Sequence, residues 1–193
     1  MWPRFGSSKL ISTWITATIV LSVFAFIDGG TLARWLALQP ARVWHGEVWR
    51  LVTWIFVEVD PLSLVITCAS IYKFGGELAP RWGDRRMQRY VLEIILGTAI
   101  VTCIFALAVP SAWHMWRLGG WCVGDMLVIA WARQYPFAIL RVYGMLQLSG
   151  QKLIQLTLGV NFLFLLAGGV RFAPEILVCL AAAYYPTDWL DRR

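Results

Sequence analysis

Six long apolar runs set the terms for this chain: roughly residues 10–27, 60–78, 87–109, 119–135, 151–169 and 172–189. Hydrocarbon offers no water to satisfy backbone N–H and C=O groups, so each run is expected to be a helix. The rest of the composition agrees. Of 193 residues, 59% are hydrophobic and 15% charged, and the mean hydropathy is +0.64. Such a chain could not cover its apolar surface with polar groups in water. A bilayer is its natural solvent. Twelve tryptophans point the same way, because Trp and Tyr gather at the membrane interface. The expected fold class is an all-α membrane protein, a single domain over residues 1–193.

The first run has a basic front, Arg4 and Lys9, and is followed by Asp28-Gly29-Gly30. Its length suits a span rather than a signal peptide, and no small-residue cleavage site follows. Asp60-Pro61 supplies an N-cap and a first-turn proline for the second run. Gly150 precedes the fifth run, and Gly168-Gly169 ends it. Ala173-Pro174-Glu175 opens the sixth.

Six helices place both termini on one side, and the basic residues say which. Twelve (Arg4, Lys9, Lys73, Arg81, Arg85, Arg86, Arg89, Arg133, Arg141, Lys152, Arg192 and Arg193) fall on one side. Five (Arg34, Arg42, Arg50, Arg117 and Arg171) fall on the other. That bias puts both termini in the cytoplasm. The net charge of +6 therefore reads as topology, and no nucleic-acid partner is expected. Cys68, Cys103, Cys122 and Cys179 lie inside apolar runs without close pairs. They read as packing residues, with no disulfide framework, metal or cofactor expected.

Two segments are unusual. The loop over residues 28–59 is long and aromatic, and is expected to fold back into the outer interface. The fourth run is short. Between Gly119 and Arg133 there are too few residues to cross about 30 Å of hydrocarbon. This short helix should start below the surface, met by a dip over Pro110–Leu118. Its first residues should then floor a central outward-facing cavity.

These features resemble the rhomboid superfamily, including its derlin-like members. "GEVWRLVTWIF" (Gly46–Phe56) looks like the family's Trp-Arg motif, Trp49-Arg50 here. "YKFGGELAPRWGDRR" (Tyr72–Arg86) is similar to the glycine-rich end of its second helix. "AWARQYPFAILRVYGMLQLSG" (Ala130–Gly150) resembles its loop between helices four and five. "GGWC" (Gly119–Cys122) falls on its Gly-x-Ser-Gly site. The resemblance implies a six-transmembrane-helix bundle with a semi-buried first loop and a short central fourth helix. It also implies proteolysis in the membrane by a serine on helix four and a histidine on helix six. In this chain the serine position holds Cys122 and the histidine position holds Pro174. The helix-six glycine positions hold Leu177 and Ala181. The two oxyanion positions hold Ser63 and Thr67, and a glutamate position holds Ala79. The chemistry of the family is missing from its scaffold.

The thiolate is the reactive form of cysteine, and a nucleophile needs a base in reach. The two histidines, His45 and His114, both belong to the outer side. An inert packing role for Cys122 is therefore favoured over a nucleophile served by His114. Asp125 is harder to place, because an acid inside a membrane run is costly. It lies three residues after Cys122, on roughly the same helix face. Two readings stand side by side: a polar cavity residue, or one hydrogen-bonded to a serine, threonine or backbone group of a neighbouring helix. Cys122, Asp125 and Gly120 are the candidate cavity lining. Glu93 is expected to snorkel or to pair with Arg89. The resemblance makes Trp49 and Arg50 structural, the guanidinium tying the first loop down through carbonyls. Gly75, Gly76, Gly83, Gly97, Gly119, Gly120 and Gly124 are expected to let helices approach closely.

The expected function is an inactive rhomboid-like protein that binds transmembrane segments of client proteins. Its partners would be the lipid bilayer and those clients. An active peptidase using Cys122 is the alternative. A channel or transporter with Asp125 and Glu93 along its path ranks below both, as no inverted repeat is visible. The small size suggests a bacterial inner membrane, with a eukaryotic membrane left open.

Overall fold

The computed structural model describes residues 8–142 and 146–184. Arg4, Arg192, Arg193 and the end of the sixth apolar run lie outside the described residues. Helix α1 (Lys9–Ile27) starts at Ser8, whose hydroxyl accepts the Leu10 N–H. The first loop then forms three short helices, α2 (Thr31–Leu36), α3 (Pro40–Trp44) and α4 (Arg50–Thr53), and a 3-10 turn, Trp54–Phe56. Helix α5 (Pro61–Ser70) is capped by Asp60, whose carboxylate accepts the Ser63 N–H at 2.8 Å. It runs through a π-helical turn (Ile71–Gly75) into α6 (Gly76–Trp82), giving one rod of 22 residues. Helix α7 spans Asp84–Ala108 and α8 spans Trp121–Gln134. Strands β1 (Ile139–Val142) and β2 (Leu146–Ser149) pair antiparallel, Ile139 opposite Ser149. Helices α9 (Gly150–Gly168) and α10 (Ala173–Tyr184) follow.

Four of these helical stretches are long and apolar enough to cross a membrane: α1, the α5–α6 rod, α7 and α9. At most 39% of the residues in their most apolar stretches are buried within the protein. Exposed apolar side chains such as Phe24, Ile104 and Leu163 leave those faces to lipid. Helix α8, at 14 residues, is about 21 Å long, short of the hydrocarbon thickness. It packs against α5, the π turn, α7, α9 and α10. Val123, Met126, Leu127 and Ile129 on it are fully buried. A helix surrounded on all sides must be apolar all round, which is why this run carries so little charge.

The structure refines three expectations. The all-α fold also carries one two-stranded antiparallel pairing, Ile139–Val142 with Leu146–Ser149. Packing is close where α8 ends and α9 begins: a Cβ on Gly150 would lie 2.5 Å from the Tyr135 carbonyl oxygen. Of the six expected crossing helices, four among the described residues are long and apolar enough to span by length and composition, with α8 and α10 shorter. Gly76, Gly83 and Gly97 meet no neighbour that would exclude a Cβ. Gly83 instead serves the α6–α7 turn with a φ of +79°. Close approach is real at Gly75, against Ile11, and at Gly120, against Thr67 and the Ile55 carbonyl. Gly124 makes an ordinary contact with Ser70.

The first loop is a packed layer. Arg50 is 2% exposed. Its Nη1 donates to the carbonyls of Arg34 (2.8 Å) and Ala37 (2.6 Å), and its Nε to Glu47 (2.6 Å). Trp49 is exposed and stacks on Trp35 with ring centroids 5.5 Å apart. The segment before α8 joins this layer, with Leu38 and Arg117 exchanging backbone hydrogen bonds.

Candidate functional site

The start of α8 is closed by the first loop. Gly119, at a φ of +109°, donates its N–H to the Trp54 carbonyl. Gly120 donates to Glu58 Oε1 at 2.8 Å. Glu58 is itself 3% exposed, and its backbone N–H donates to Ser22 of α1. A helix N-terminus has unpaired N–H groups and a favourable field for an anion. Here the protein's own carboxylate fills that place. Burial pushes the Glu58 carboxyl above the ordinary carboxylate range, against the opposing pull of its hydrogen bonds.

This plug changes the expected cavity. Gly120 and Cys122 do not line one, because Glu58, Ile55 and Thr67 fill the space against Gly120. Cys122 is buried, its sulfur 3.4 Å from Thr98 Oγ1 of α7. A cleft beside the α8 start, with Arg117, Leu118, Val59 and Glu175 among its walls, holds about 410 Å³. Arg117 is ion-paired with Glu175 of α10. That pair joins the α8 approach to the start of α10, next to Pro174.

Asp125 occupies a narrow notch of about 30 Å³ between α5 and α8, with Ile66, Thr67, Ser70, Trp121 and Gly124. Asn161 of α9 donates to its Oδ2 at 2.7 Å and also to the Thr157 carbonyl. The partner is thus an asparagine side chain rather than a serine, threonine or backbone group. Trp121 Nε1, at this notch, is buried without a hydrogen-bond partner among the described residues.

The remaining positions separate. Ser63 is engaged with the Asp60 cap through its N–H and hydroxyl. Pro174 is buried in the first turn of α10, whereas Leu177 and Ala181 are exposed. Cys179, further along α10, is turned fully inward. The helix-six assignment therefore placed its glycine positions on the face of α10 turned away from the core. His45 Nδ1 pairs with the Ala41 carbonyl, and His114 lies beside the first loop. Neither histidine bonds to Cys122. Glu93 is on the exposed face of α7.

Sequence reasoning passed over Glu58, Glu77 and Asn161. Glu77 accepts from Trp131 Nε1 of α8 and from Lys73, both at 2.5 Å. It lies two residues before Ala79, where the resemblance puts a glutamate. The available signal was an acid beside two glycines inside an apolar run. Glu58 had no local signal, since its partner is 62 residues away.

A family profile described as "Eukaryotic integral membrane protein (DUF1751)" matches residues 9–185. The chain is also similar to Derlin-1 of Oryza sativa subsp. japonica, 24% identical over 72% of this chain and 54% of the relative. It is similar to Derlin-1 of Arabidopsis thaliana, 25% identical over 78% of this chain and 54% of the relative. The chain spans about half the length of these curated relatives. The eukaryotic description and the two plant relatives lend no support to a bacterial inner membrane. The chain belongs to this eukaryotic integral membrane protein family, within the derlin and rhomboid-like superfamily.

Proposed function

We propose that the protein is a rhomboid-like pseudoprotease that holds transmembrane segments of client proteins without cutting them. The observation that carries this is the setting of Cys122. It is buried, it touches Thr98, and neither histidine pairs with it. A nucleophile without a base in hydrogen-bond reach has no route to activation. The α8–α10 connection that a catalytic dyad would occupy is made by the Arg117–Glu175 ion pair.

The Asp125 notch suits a client. It presents an acid and an unpartnered indole N–H, that of Trp121, at the edge of an apolar surface. A polar or unwound client segment would satisfy groups that lipid cannot. In this reading α8 and α10 act as the fourth and sixth crossing elements of a six-helix bundle. Trp49 and Arg50 brace its outer layer, and Gly75 and Gly124 set the spacing between helices. Both termini face the cytoplasm.

A photo-crosslinking amino acid at Ile66, at the notch, should capture a model transmembrane segment carrying a central asparagine. The same probe at Ile104, on the lipid face of α7, should capture much less. Reconstituted protein should leave that substrate intact. Cleavage that disappears in Cys122→Ala would overturn the reading.

A further inference from the structure

We propose that the first loop carries a binding site for a phosphoryl anion, of the kind an acidic lipid headgroup presents. The site is a cleft of about 420 Å³ in which Arg34 of α2, Arg42 of α3 and Arg50 of α4 converge with Gln39, His114 and Trp116. Three separate short helices each contribute one guanidinium. Arg42 and Arg50 share the carboxylate of Glu47, which accepts from Arg42 Nη1 at 2.9 Å and from Arg50 Nε at 2.6 Å. The Arg34 side chain has no ion pair or hydrogen bond among the described residues. One carboxylate against three guanidiniums leaves two positive charges uncompensated around a concave surface. The guanidinium fork matches phosphate geometry.

The position favours a lipid source. Trp35, Trp44 and Trp116 expose more than half of their surface on the same layer, as tryptophans at headgroup depth do. The cleft therefore opens where lipid phosphates are concentrated. Arg50 links the cleft to the fold, because the same guanidinium pins the Arg34 and Ala37 carbonyls. A bound anion would strengthen the loop layer that also carries Glu58 to α8. The site is separate from the Asp125 notch and does not depend on client binding.

The test is native mass spectrometry of the detergent-purified full chain with phosphatidic acid, phosphatidylcholine or glycerol 3-phosphate added. The variants are Arg34→Gln/Arg42→Gln, the single reversal Arg34→Glu, and Arg85→Gln/Arg89→Gln at the start of α7 as a charge-matched control. The substituted side chains are exposed, so the fold should survive, and a far-UV melt without lipid checks this. Wild type and the α7 control should retain phosphatidic acid in preference to phosphatidylcholine. Retention should fall about fivefold for each arginine lost from the cleft. Displacement of the lipid by millimolar glycerol 3-phosphate would identify a free phosphomonoester as a competent ligand. No displacement would identify the lipid form. Equal retention by wild type and both cleft variants would overturn the site, as would an equal loss in the α7 control.

Discussion

Glu58 and Glu47 show how two carboxylates in one loop acquire opposite properties. Glu47 is held below the ordinary carboxylate range, chiefly by its hydrogen bond from Arg50 and then by that from Arg42. Its contribution is present above the unfolded value and is lost as pH falls through its folded value. Glu58 is pushed the other way by burial. The folded protein therefore holds the Glu58 proton more tightly than the unfolded chain does. Its contribution is greatest below the unfolded value and declines as pH rises through the raised folded value. Glu58→Gln keeps an acceptor for the Gly120 N–H and removes the charge. The variant should be at least as heat-stable as wild type at neutral pH. Between about pH 4 and 8 its melting temperature should vary less than that of wild type. A thermal-shift series in detergent reads this directly, and a steeper profile in the variant would refute the assignment.

At the level of elements, α8 is held by polar ties placed along its length. Gly120 bonds to Glu58, Asp125 to Asn161, Trp131 to Glu77, and Arg133 to the Ala182 carbonyl at 2.9 Å. Between helices in lipid, van der Waals packing and such hydrogen bonds replace the hydrophobic drive. The Asp125–Asn161 pair should therefore be measurable and modest. A double-mutant cycle with Asp125→Ala and Asn161→Ala should give a coupling of about 1 kcal/mol in detergent unfolding. A coupling indistinguishable from zero would mean that α9 docks on α8 by packing alone. Trp121 Nε1 at the same notch stays unpartnered, so this junction is less completely satisfied than the ends of α8.

For the whole molecule, the question is whether the short α8 carries the chain across. If it does, the hairpin following it lies opposite the first loop. Phe137 and Trp44 report on the two sides, exposed at 85% and 55%. In a Cys68→Ser background, which leaves only buried native thiols, Phe137→Cys and Trp44→Cys should react with an impermeant maleimide from opposite faces of sealed vesicles. Labelling from the same face would show that α8 does not cross, and would remove the six-crossing arrangement. The distribution of basic residues predicts that Phe137 is on the cytoplasmic side.

Apolar run length and composition, read along the chain, determined the membrane as solvent, the positions of the helices and several of their caps. Those signals are local: Asp60 bonds to a residue three positions on, and Gly169 ends α9 with its own backbone angle. The Trp-Arg motif and the segments after it also made the superfamily legible. Only the tertiary structure decided what closes the α8 start, which face of α10 turns inward, and what partners Asp125. Each of these depends on residues tens of positions apart whose side chains carry no local pattern. Glu58, Asn161 and the Arg117–Glu175 pair took on their roles when distant helices packed. Burial then required these charged and amide groups to find partners there.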